Sequence, residues 1–258
     1  MLILTWDRNN PQSGHNTTYN PPTVTSSLFA VPNVLPAPVC TGPVQSQPTT
    51  YWLDQQDHTG PARGYAPFIS GYYTYPVYRN VLNYSVQNDG TGDQTANLQN
   101  AINTDGRGGS REGQGVTYEP AEVYFPGGTY QLKSTLNLRM NTIIVGDPLN
   151  PPVIKAAPDF TGDTLVNGYD DANNDPSSGA TRGELSFMTM MKNVIIDTTA
   201  LPGDLSFTAL QWGVAQGCGL TNVKINMPLY STMQTGINLT GGSTITVTDV
   251  VRTSLSFD

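Results

Sequence analysis

Four carboxylates occur where acid–base work would be conceivable. Glu122 and Glu184 lie at the edges of apolar segments, and Asp197 and Asp249 lie within them. Such chemistry needs two carboxyl groups facing one another, or one acid and an oriented water. Asp197 is followed by Thr198-Thr199, the company of a turn ligand, and Asp249 holds the corresponding place in a later segment. Both read as structural, and Glu122 and Glu184 as solvated. Asp171-x-Asn173-x-Asp175-x-Ser177 resembles the opening of a calcium loop. Pro176 takes the place of the required glycine and Arg182 that of the closing glutamate, so no metal is expected there. His15 and His58 are isolated, and no Ser-His-Asp set, zinc spacing or phosphate loop is present. No catalytic residue is assigned in this chain, and no cofactor is expected.

The elements that would position a site are short. EVYFPGGTY, residues 122–130, reads as a strand, a sharp turn at Pro126-Gly127-Gly128 and a second strand, a hairpin pattern. DQTANLQNAI, residues 93–102, is the one clear helix: Asp93 suits the N-cap, and Leu98, Ala101 and Ile102 share a face. Beyond residue 140 short β segments follow, and one pattern recurs: KNVIID at 192–197, TNVKIN at 221–226 and TDVVRT at 248–253. A strand returning at a near-constant interval with no helix between predicts a parallel β-helix, each coil burying its apolar side chains on the coil before. Val194, Val223 and Val250 are then expected to stack inside. Asn193, Asn222 and Asp249 are expected at matching turns.

Composition sets the limits. Residues 1–48 hold eight of the 20 prolines and read as an extended arm or linker, leaving 49–258 as the β-helix domain. Twelve Lys+Arg against 20 Asp+Glu give a net charge of -8, with no basic stripe to neutralise phosphates, so nucleic acid is not a partner. No apolar run approaches the roughly 18 residues of a membrane span. Three N-x-S/T sequons, at Asn16, Asn83 and Asn238, fit a secretory route and an extracellular location. MLILTWDRNN lacks the basic and apolar regions of a signal peptide, so the true start is expected upstream, or the chain is an incomplete product. Cys40 and Cys218 form either a disulfide or two separate thiols.

Several stretches together resemble a known family. Tyr78-Arg-Asn-Val81, NDGTGDQTANLQNAI (88–102), VYFPGGTY (123–130), IIVGDPLNPPVIKA (143–156) and LQWGVAQGCGLTNVKINM (210–227) follow the order seen in fungal exo-β-1,3-glucanases. These are family 55 of the glycoside hydrolases, within the pectate-lyase-like superfamily. The resemblance implies an all-β, right-handed, single-stranded parallel β-helix, with EVYFPGGTY in its first coil and Asp93–Ile102 as a short N-terminal capping helix. It also implies inverting release of glucose from β-1,3-glucan. The family's general acid is a Glu in a C-terminal β-helix domain, and this chain looks like the N-terminal portion only. A C-terminal domain in cis is thus an expected partner, and the chain alone is expected to be inactive.

By the same resemblance, Gln216 of Val-Ala-Gln and Ser243 of TGGSTI match polar positions lining the family's glucose pocket, where they would hold sugar or the attacking water. The alternative is that both satisfy backbone turns. Thr240 stands where the family has Glu, and Thr244-Ile245 where it has Gly-Gly, which narrows backbone freedom there. Trp212 reads either as a sugar-stacking platform or as a buried core residue. Those departures keep a second reading open, a non-catalytic glucan-binding or structural module. A pectin lyase or hydrolase ranks third, because the Lys and Arg are scattered.

Overall fold

A computed structural model describes residues 48–59, 64, 66, 69, 74–111, 118–170, 183–239 and 242–253. The Pro-rich arm with His15, Asn16 and Cys40, the calcium-like stretch 171–177 and Thr240 lie outside the described residues.

The elements run α1 (Trp52–Gln55), β1 (Tyr78–Asn80), a 3-10 turn (Val81–Tyr84), α2 (Thr95–Asn103), β2 (Ala121–Phe125), β3 (Thr129–Asn137), β4 (Thr142–Gly146), β5 (Val153–Asn167), β6 (Met190–Asp197), β7 (Phe207–Gln211), β8 (Cys218–Asn226), β9 (Gln234–Asn238) and β10 (Ile245–Thr253). Every pairing between named strands is parallel. One ladder runs β1-β2-β4-β6-β8-β10. A second runs β3-β5-β7-β9. Parallel neighbours cannot be joined by a tight turn. Here the chain turns a corner, makes a strand on another face and returns, which is the stacking of a parallel β-helix.

The interior follows the pattern read from the sequence. Val194 pairs with Val223, and Val223 with Val250. A neighbouring stack runs Val123, Ile144, Met191, Leu220 and Val247. Its first four members are fully buried, whereas Val247 on the last described strand is 43% exposed. Asn193, Asn222 and Asp249 all sit at positive φ, +57°, +51° and +52°, as corners inside the strands. Asn and Asp tolerate that backbone better than other non-glycine residues.

Two readings need correction. Residues 122–130 are not a hairpin: β2 pairs with β1 and β4, and β3 with β5. The Pro-Gly-Gly turn is real, with Gly128 at φ +136° where a Cβ would collide with Asn88. It leads to a different face rather than back along β2. The helix starts at Thr95, not Asp93, and Gln94 is its N-cap position. Asp93 still serves the helix start, accepting from Thr95 N–H at 3.0 Å and from the Thr95 hydroxyl at 2.6 Å. Leu98, Ala101 and Ile102 of α2 are buried, as their spacing requires.

Candidate functional site

The turn from β7 to β8, residues 212–217, and the turn from β9 to β10 bring Gln216 and Ser243 to matched places. Each lies two residues before a strand, and the strand starts Cys218 and Ile245 are register partners. Their backbones bond to neighbouring coils. Gln216 C=O accepts from Met188 N–H at 3.2 Å, and Ser243 N–H donates to Val214 C=O at 2.8 Å. Gln216 is exposed and Ser243 half-buried. Among the described residues no hydrogen bond to the Gln216 amide or the Ser243 hydroxyl is found.

Beside them is a groove of about 390 Å³ whose wall includes Met190, Lys192, Thr221, Thr244 and Thr246. No carboxylate is among its described lining residues. Two backbone features mark the turn before β10. Gly242 passes so close to Val214 that a Cβ would strike its N and O. Thr244 is held at φ +49°, a left-handed conformation unusual for a β-branched residue. Cys218 forms the floor as a free, buried thiol, accepting from Thr189 N–H at 3.1 Å and donating to Ser186 C=O at 3.2 Å. Burial pushes its pKa up.

Trp212 does not line this groove. It is fully buried, and a Cβ on Gly168 would collide with its ring, so no face is open to a sugar. The reading of Trp212 as a stacking platform is corrected on that ground: the buried alternative is what the chain adopts.

The remaining candidates are structural. Asp197 accepts from Thr199 N–H and hydroxyl at 2.9 and 2.6 Å, as a turn ligand does. Asp249 is an exposed strand corner, Glu184 is exposed and Glu122 half-buried. His58 stacks on Tyr78 with ring centroids 3.4 Å apart, and a ring nitrogen lies 2.8 Å from Leu53 C=O. Among the described residues no group of three or more His, Cys, Asp or Glu is gathered for a metal, and no helix is long and apolar enough to cross a membrane. Of the sequons, Asn83 stands exposed on the 3-10 turn and Asn238 is half-buried in β9.

Sequence reasoning missed three arrangements. Asp170 is a fully buried carboxylate paired with Arg139 at 2.8 Å. Arg79 and Arg111 are fully buried beneath α2, bonded to backbone carbonyls. An amide ladder runs Asn137, Asn167, Gln211, Asn238 across β3, β5, β7 and β9. The signal for the ladder was present, since each amide follows an aliphatic residue: Leu136, Val166, Leu210 and Ile237. The uneven intervals hid it.

The parallel strands stacked coil on coil are those of a parallel β-helix protein. The chain belongs to the rhamnogalacturonase A/epimerase, pectate lyase-like family, which matches residues 78–256. Its likeness to fungal 1,3-β-glucanases is also shown. It is 46% identical over 178 residues to a glucan endo-1,3-beta-glucosidase of Trichoderma harzianum, covering 69% of this chain and 21% of that protein. It is 36% identical to a probable glucan endo-1,3-beta-glucosidase of Arthroderma benhamiae, covering 87% and 25%. It is 34% identical to a glucan 1,3-beta-glucosidase of Cochliobolus carbonum, covering 75% and 24%. The chain therefore spans 21% to 25% of the length of these curated relatives.

Proposed function

We propose that this chain is the N-terminal β-helix portion of a secreted β-1,3-glucanase. The observation that carries this reading is the 46% identity to a 1,3-β-glucanase of which the chain covers 21%. In the proposed arrangement the coils wind right-handed, α2 caps one end, and the general acid lies in a further β-helix domain in cis. Gln216 and Ser243 hold the sugar or the attacking water, work that suits an amide and a hydroxyl with no partner found among the described residues. The reaction is inverting. Exo-action follows the motif resemblance, while two of the three relatives carry endo names, so product analysis decides between them.

The test is hydrolysis of laminarin by this chain alone and by a longer protein carrying the same coils. The expected result is no glucose from the chain alone and release by the longer form. Turnover by the chain alone that vanishes in Gln216→Ala would show that the acid has been misplaced.

A second reading is a non-catalytic glucan-binding module. Thr244 favours it, since its side chain enters the groove at a left-handed backbone position. Binding of β-1,3-glucan without hydrolysis by the longer protein would select it. A uronate-specific lyase or hydrolase ranks last, because Lys192 is the one cation among the described residues of the groove wall. An absorbance assay for unsaturated uronate products tests that directly.

A further inference from the structure

Two of the three sequon asparagines, Asn83 and Asn238, lie among the described residues, and their surroundings differ. Asn83-Tyr84-Ser85 runs through the end of the 3-10 turn Val81–Tyr84 and the residue that closes it. That turn is anchored from both sides. Asn80 Oδ1 caps its start, accepting from Leu82 N–H at 3.0 Å, and Asn97 Nδ2 of α2 donates to Ser85 C=O at 2.9 Å. Val81 and Val86, which flank the segment, are buried. Between these anchors Leu82, Asn83 and Ser85 are exposed. Ser85 stands at φ +60°, so the chain bends sharply within the sequon. Among the described residues neither the Asn83 amide nor the Ser85 hydroxyl makes a hydrogen bond.

Asn238 is placed in the stack itself. It is half-buried in β9, in register with Gln211 of β7, and its C=O accepts from Trp212 N–H at 2.7 Å. Ile237 before it packs against the core. This sequon therefore begins as extended strand, and its asparagine is already engaged by neighbours.

Attachment of an N-glycan needs a reachable amide and a bend that brings the hydroxyl two residues on towards it. It also needs solvent room for a bulky, hydrated chain once the protein is folded. The turn at 83–85 meets all three demands. The strand at 238 meets neither of the first two.

We propose that Asn83 is an occupied N-glycosylation site and that Asn238 is left unmodified. The donor class is an oligosaccharide carried on a lipid pyrophosphate. Asn83 Nδ2 forms a bond to the anomeric carbon of the first sugar as that carbon's bond to the pyrophosphate oxygen breaks. The lipid pyrophosphate leaves, and the amide gives up one proton. The glycan then stands over Leu82, which is 39% exposed. The proposal rests on the secretory location in the proposed function and not on glucan hydrolysis.

The experiment is expression of the 258-residue chain in yeast behind a host leader, with glycopeptide mass spectrometry before and after enzymatic deglycosylation. The leader carries the chain into the secretory pathway whatever its own route, and peptides are read from cells and medium alike. Thermal melts establish that each variant is folded. The expected result is a glycan on the Asn83 peptide that both Asn83→Gln and Ser85→Ala abolish, with the glycan mass unchanged in Asn238→Gln. A bare Asn83 in the folded chain would overturn the proposal, and so would a glycan on Asn238. Laminarin hydrolysis by the longer protein judges the proposed function apart from all these outcomes.

Discussion

Gln216 and Ser243 each stand two residues before register-paired strand starts, Cys218 and Ile245, and it is their backbones that bond to neighbouring coils, with no side-chain bond found among the described residues. Such side chains are dispensable for folding. Gln216→Ala and Ser243→Ala are expected to change unfolding free energy by less than about 0.5 kcal/mol. In a catalytically competent protein carrying these coils, each should lower turnover about 100-fold or more. Urea unfolding and glucose release measure the two effects. A large loss of stability with unchanged turnover would return both residues to a structural role.

Thr244 sits beside that pair at φ +49°. A side chain in the left-handed region costs roughly 1–2 kcal/mol, and glycine there gives back about 0.5–1 kcal/mol through unfolded-chain entropy. Thr244→Gly is therefore expected to stabilise the protein by roughly 0.5–1 kcal/mol. Thr244→Ala keeps the Cβ and should give little relief. Equilibrium unfolding of the two variants separates strain from simple loss of the hydroxyl.

The stacked corners and the groove differ in how plainly the sequence displayed them. Asn193, Asn222 and Asp249 were legible because a left-handed corner selects Asn or Asp, and the Val that follows each must enter the core. The supposed hairpin at 122–130 failed because a turn motif states that the chain bends, not where its hydrogen bonds go. β2 and β3 find their partners on other coils, tens of residues away in sequence. Trp212 was ambiguous because its type suits both a core and a sugar platform, and only packing against Gly168 decides. Arg79 and Arg111 were lost among charges presumed solvated, since nothing local marks an arginine bound for backbone carbonyls.

The corner ladder gives a sharper test. Asn222 Nδ2 donates to Asn193 Oδ1 at 3.0 Å, and Asn222 sits at φ +51°. Asn222→Val adds left-handed strain of roughly 1–2 kcal/mol to the loss of a bond worth about 1 kcal/mol, so a cost near 2–3 kcal/mol is expected. Asn222→Gly loses the bond without the strain and should cost about half as much. Equal costs in chemical denaturation would mean the corner conformation is not the constraint.

Acid should act at the start of α2. Burial works against the Asp93 carboxylate, but the Thr95 hydroxyl, Thr95 N–H and Lys133 N–H outweigh it and hold its pKa below the usual value. A depressed folded pKa means the stabilisation is present above the unfolded value, about 3.9. It is lost as pH falls through the folded value. The melting temperature is expected to fall below about pH 4, and to fall less steeply in Asp93→Asn. An identical acid limb in that variant would assign the acid sensitivity to other carboxylates.

Arg111 ties the end of α2 to the segments that follow it. Its guanidinium is fully buried and donates to the carbonyls of Ile102, Glu119, Met140 and Asn141 and to the Thr142 hydroxyl, at 2.8–3.1 Å. The carbonyls belong to the α2 terminus, the segment before β2 and the corner before β4, so one side chain joins three segments. A cation at a helix C-terminus is also favoured by the helix dipole. Arg111→Met removes the charge and leaves several buried acceptors unpaired, with an expected loss of about 3–5 kcal/mol. Arg111→Lys should recover little, because a single ammonium cannot span the acceptors that the planar fork reaches. Hydrogen exchange would show the loss in the α2 amides first, and uniform deprotection of all coils would mean that Arg111 supports the whole stack rather than this end.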